Sequence, residues 1–168
     1  LKYHNDPSTS VEQTHRLNYP AFDYLIQLLQ DLEDVEQPRQ YHPEGNALFH
    51  SLQVFELSLK YCGRPKLWAA ALFHDVGKAV DSKHHCSIGR EMLTGVLDPD
   101  VIWLVEHHLD LLIKPNITKQ KYNHHPLLSD LEMLRKCDVA GRDPFARPIS
   151  VQSAINILAQ YADDILSR

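Results

Sequence analysis

The sequence predicts an all-α protein folded as one domain. Apolar residues recur at helical spacing through most of the chain, and Pro, Gly and small polar residues punctuate those stretches where helices start and stop. No segment sustains a period-two alternation, and there is no internal repeat. A chain of 168 residues is long enough to bury a core without disulfides or structural zinc.

Residues 1–18 are polar and unpatterned, with Pro7 followed by Ser8, Thr9 and Ser10, and are expected to form an arm ahead of a helical domain over 19–168. The first helix is expected from Pro20 through the run ending at Glu36, with Phe22, Leu25, Ile26, Leu29 and Leu32 on one face. After a loop, Asn46 is placed to cap a second helix that runs to about Tyr61 and stops at Gly63 and Pro65. A third covers KLWAAALFHDV up to Gly77, its three alanines implying close helix contacts. A short fourth helix should span about Cys86 to Leu93. Asp98-Pro99 opens a fifth, VIWLVEHHLDLL, which ends before Pro115. Residues 116–124 read as a polar loop. Pro126 opens a sixth helix to about Val139, and PISVQSAINILAQYADDIL forms the last.

The net charge of −5 argues against an extended nucleic-acid surface, and no apolar run is long enough to span a bilayer. Cys62, Cys86 and Cys137 are odd in number and lack CxxC spacing, which disfavours a disulfide framework or a thiolate zinc site. No secretory leader is visible, and a reducing cytoplasm is the expected compartment. Oligomeric state is not readable. Eleven histidines, several paired, exceed what packing requires.

On the third helix, Leu67, Ala70, Ala71 and His74 share a stripe, so His74 faces the core with Asp75 beside it. His50 shares a stripe with Val54, Leu57 and Tyr61 on the second helix. Leu127, Leu131, Leu134 and Asp138 form another on the sixth. Three helices thus aim imidazoles or carboxylates inward, and a buried carboxylate calls for a cation. The ligand types suit iron, manganese, cobalt, nickel, magnesium or zinc.

The order of His50, His74-Asp75 and Asp138, with the middle pair set in ALFHDVGK, resembles the HD superfamily of metal-dependent phosphohydrolases over about residues 41–142. YHPEGNALFHS also resembles the entry to the HD domain attached to some bacterial tRNA nucleotidyltransferases, and no nucleotidyltransferase head is expected within these 168 residues. The resemblance implies an all-α bundle with the metal site in its core. His85 to Gly89 is similar to the family's H-x-x-x-G element and VEHH to its next histidine element, implying a dinuclear set of His50, His74, Asp75, His85, one of His107 or His108, and Asp138. Asp75 would bridge the two ions. The family pattern favours His107, whereas the helical wheel puts His108 on the apolar stripe with Val101, Leu104 and Val105. Spacing to Gly89 favours His85 over His84, leaving His84 as a solvent or substrate contact.

The resemblance further implies hydrolysis of a small phosphorylated substrate, a phosphomonoester or phosphodiester, by metal-activated water. Asp75 and Lys78 would serve catalysis, and Lys78, His84, Arg142 and His42 the substrate. Two other readings stand beside it. One is a mixed-valence di-iron oxygenase cleaving a C–C or C–P bond, which some superfamily members with the same ligands are. The other is a non-catalytic sensor with a structural metal. A lysine at position 78, where deoxynucleotidases of the superfamily carry a glutamate, disfavours that activity, and HHLDLLIKPN in place of a Gly-Tyr-Pro element disfavours the cyclic-di-GMP branch.

Overall fold

A computed structural model describes residues 19–168 as helices joined by turns, with no β-strand among the described residues. The expected arm, residues 1–18, lies outside them. In chain order the helices are α1 (Tyr19–Gln30), α2 (Ala47–Tyr61), α3 (Pro65–Phe73), α4 (His85–Leu93), α5 (Pro99–His107), α6 (Asp110–Ile113), α7 (Pro115–Lys121), α8 (Leu128–Ala140), α9 (Val151–Ala159) and α10 (Ala162–Ile165). A 3₁₀ turn, Val76–Ala79, links α3 towards α4. No helix among the described residues is long and apolar enough to cross a membrane.

The middle of the bundle is α3. Leu67, Ala69, Ala70, Ala71, Leu72 and Phe73 are all fully buried, so this helix is apolar on every side and must be enclosed by others. The alanines let neighbours approach, and α2, α5, α8 and α10 all pack on it. The expected starts are in place. The Asn46 side chain accepts a hydrogen bond from Phe49 N–H, the Asp98 side chain accepts from Asp100 N–H with Pro99 in the first turn of α5, and Ser150 accepts from Ser153 N–H.

Several boundaries differ from the sequence expectation. α1 stops at Gln30 rather than Glu36, because Val35–Gln37 run alongside Gly45–Ala47, with Gln37 N–H donating to the Gly45 carbonyl and Ala47 N–H to that of Val35. Extended pairing and a helix cannot share those backbone groups. Residues 116–124 are not a loop throughout, since Pro115 opens α7. The expected last helix turns at Gln160–Tyr161, where Tyr161 sets its ring edge-on to Trp68. Tyr61, placed on the inward stripe of α2, instead ends 45% exposed beneath Lys60 and Lys136.

The 3₁₀ turn lies directly on the start of α4. A Cβ at Gly77 would meet the His85 carbonyl oxygen at 2.1 Å and Gly89 N at 2.8 Å, both backbone atoms that cannot swing aside. Gly77→Ala is therefore expected to cost about 3 kcal/mol or more in stability, the upper end for an overpacked site. Gly63→Ala, with nothing within 4 Å of its Cβ position, is expected to stay within about 0.5 kcal/mol. Urea unfolding of both variants checks this.

Candidate metal centre

The centre is built at helix ends. An α-helix leaves its last carbonyls without intrahelical partners, and an imidazole close by can take one. His74, at the end of α3, points Nδ1 at the Ala71 carbonyl at 2.8 Å, and His108, at the end of α5, points Nδ1 at that of Val105 at 2.7 Å. His85 does the same to Ser82 at 2.7 Å, and His50 reaches the Gly141 carbonyl at 2.8 Å. A carbonyl only accepts, so all four Nδ1 atoms carry hydrogen. In the neutral rings Nε2 is then a bare lone pair, the form a metal ion binds.

Those Nε2 atoms converge on Asp75, which is 1% exposed. Its Oδ2 lies 3.4 Å from His74 Nε2 and 4.0 Å from His50 Nε2, and His50 Nε2 is 3.1 Å from Asp138 Oδ1. Its Oδ1 lies 3.3 Å from His85 Nε2 and 3.7 Å from His108 Nε2, which are 3.2 Å from each other. The two carboxylate oxygens thus face two separate donor sets. Ligand atoms about 2.1 Å from a common ion sit roughly 3.0–3.4 Å apart, close to these spacings.

Electrostatics tests the fit independently. Burial is the largest influence on His108 and, with the nearby His74, pushes its pKa down to about 3; burial likewise lowers His85. Both rings are neutral at pH 7, so two lone pairs and the Asp75 Oδ1 carboxylate oxygen face one another with no proton to share. The His74 Nε2 atom is buried and has no hydrogen-bond partner among the described residues. Such an arrangement is costly unless a cation occupies it. Burial also opposes ionisation of Asp75 and Asp138. For Asp75 the nearby His74 and Lys78 prevail, and for Asp138 the hydrogen bond from His50, holding both carboxyls well below the usual range. The cluster is able to hold a divalent ion.

Most of the expected site residues come together here: His50, His74, Asp75, His85, His108 and Asp138. His107 does not. It turns away to pair with Asp110 at 2.8 Å and packs against Trp103, because the apolar stripe of α5 continues through His108, one residue and about 100° further round. His84 also lies elsewhere, paired with Asp81 at 2.7 Å at the surface and 60% exposed. Cys86 Sγ is 3.8 Å from His85 Nε2, but burial and the Asp75 charge push its thiol up to about 11, so it stays protonated.

A cavity of about 410 Å³ adjoins the cluster, lined by Gln37, Tyr41, His42, Lys78, Arg135 and Arg142 among others. Lys78 Nζ is 2.7 Å from Asp75 Oδ2 and donates to Gln37 Oε1 at 2.6 Å. Arg135 Nη1 is 3.1 Å from Asp138 Oδ2, and Arg142 Nη2 is 3.6 Å from Asp138 Oδ1. Lys78, His42 and Arg142 were expected at the site; Gln37, Arg135 and Glu44 were not. Arg135 lies one turn before Asp138, a spacing that allows pairing but gives no hint of a cavity. Glu44, buried beside His50, sits in a loop whose path no periodicity reports.

The HD domain family model matches residues 48–165. The chain is similar to the multifunctional CCA protein of Teredinibacter turnerae, at 36% identity over 64 residues, covering 38% of this chain and 16% of that protein. It is 40% identical over 50 residues to the multifunctional CCA protein of Nitrosococcus oceani, covering 30% of this chain and 12% of that one. It is also similar to the bifunctional uridylyltransferase/uridylyl-removing enzyme of Cupriavidus metallidurans, at 34% over 103 residues, covering 46% of this chain and 11% of that enzyme. The matched segments thus span a sixth or less of these relatives' lengths.

One pH dependence follows. For His50, burial opposes protonation, but hydrogen bonds to Asp138 and Glu44 outweigh it and raise its pKa to about 9. The metal-free protein therefore carries a proton on His50 at pH 7. The stability this adds is complete below the ordinary histidine pKa of 6.5 and is lost as pH rises through about 9. An ion taking Nε2 must displace that proton, whereas His85 and His108 have none to lose. Calorimetry in buffers of different ionisation enthalpy should find about one proton released at pH 7 for the ion on the His50 side. Affinity there should climb about tenfold per pH unit up to pH 9.

Proposed function

The chain belongs to the HD domain family, and from that premise we propose that it is a metal-dependent phosphohydrolase acting on a small phosphorylated substrate, a nucleotide or similar monoester or diester. The observation that carries this is the adjacency of two parts: a cluster able to hold divalent ions around Asp75, and a cavity whose wall holds Lys78, Arg135 and Arg142. A uridylyl-removing enzyme among the relatives is consistent with phosphoester chemistry.

In this reading His50, His74, Asp75 and Asp138 would hold one ion, and Asp75, His85 and His108 the other. Divalent ions bound there would supply Lewis acidity and a more acidic water. The protein's own part is positioning. The four Nδ1–H bonds lock the ring orientations, so the ligand atoms need little rearrangement. Lys78 and Arg142 orient phosphoryl oxygens and offset their charge, Arg142 through a planar fork that suits phosphate. His42 lines the same wall. Three cations favour an anionic substrate over a neutral polyol, which weighs against oxygenation of such a compound.

A phosphatase and phosphodiesterase screen with manganese or iron tests the reading. Asp75→Asn and His50→Ala are expected to reduce turnover at least about a hundredfold with loss of bound metal, while His107→Ala stays within about twofold. Arg142→Ala is expected to raise KM about tenfold with a smaller effect on kcat, as for a group that binds substrate and transition state alike. Two irons per chain, no turnover of any phosphoester and consumption of dioxygen with a phosphonate would overturn it.

A further inference from the structure

In the loop ahead of α2, one carboxylate oxygen joins two imidazoles. Glu44 Oε1 lies 2.9 Å from His42 Nδ1 and 2.9 Å from His50 Nδ1, and the Glu44 side chain is fully buried. Its other oxygen, Oε2, is buried with no hydrogen-bond partner among the described residues. Gly45, with φ of +81°, turns the chain directly after Glu44, and the Asn46 cap then fixes the start of α2.

A carboxylate removed from water is costly unless positive charge lies close by. The His50 ring stands between Glu44 and the centre: Nδ1 faces Glu44, and Nε2 faces Asp138 and Asp75. The Gly141 carbonyl, at 2.8 Å from the same Nδ1, suffices to fix the tautomer. A carboxylate adds what a carbonyl lacks, a full negative charge that makes the opposite nitrogen a stronger ligand.

We infer that Glu44 is a positioning residue of the metal centre: it orients His50 and strengthens Nε2 towards the ion on the Asp75 Oδ2 side, while its shared oxygen holds His42 at the cavity wall. This rests on the reading of the cluster as a metal centre, and not on the class of reaction. The two ion positions should therefore respond differently to loss of the Glu44 charge.

The test is titration of the metal-free full chain with Co(II), followed by visible absorption and calorimetry. The ion whose binding disappears in His85→Ala marks the second position. Glu44→Gln keeps the shape and removes the charge. With the affinity corrected for the proton that leaves His50, it is expected to weaken the first Co(II) by about 10- to 100-fold, with an altered ligand-field spectrum, and to leave the second within about threefold. Equal weakening of both ions, the mark of a merely structural role, would overturn the inference, and so would unchanged affinity for both. Neither result bears on phosphoester turnover, so the hydrolase reading stands or falls separately. A wild-type chain that takes up no Co(II) would overturn the metal centre together with this inference.

Discussion

A carboxylate without water must be surrounded by positive charge or hydrogen-bond donors, and Asp75 imposes that condition at the middle of this protein. Its two oxygens face different partners, His74 and His50 on one side and His85 and His108 on the other. Lys78 supplies a full cation in direct contact with it. The arrangement of α2, α3, α4, α5 and α8 can be understood as what is needed to bring those groups to one residue.

The helices accomplish this with their ends. His74 and His108 each sit where a helix finishes, and each ring spends one nitrogen on a carbonyl three residues earlier. One hydrogen bond thereby completes the helix terminus, selects the tautomer and aims the other nitrogen. The local fold and the chemistry of the centre are satisfied by the same contact, so neither can be altered without the other.

Much of this was legible in the sequence because it rests on periodicity. The stripes ending in His74 and Asp138 were inward on the helical wheel and are inward in the fold, as Leu67, Leu131 and Leu134 confirm by their full burial. His108, which the wheel put on the apolar stripe, is the ring of the pair that faces the cluster, by the same geometry. Most of what periodicity does not report lies off the helices. Gln37 and Glu44 belong to a segment held by backbone pairing between Val35–Gln37 and Gly45–Ala47, and such pairing depends on chain path and leaves no repeat to read. Arg135 lay on a helix, but its importance comes from a cavity formed by other elements. The early end of α1 has the same cause as the missed loop residues.

The contact of Gly77 with the start of α4 sets how far Asp75 stands from His85, and its nearest atoms are main chain. Side chains elsewhere in the core can therefore vary in size, shifting stability, without changing the span between the two halves of the centre. Glycine at that one position separates the tolerance of the interior from the precision of the site.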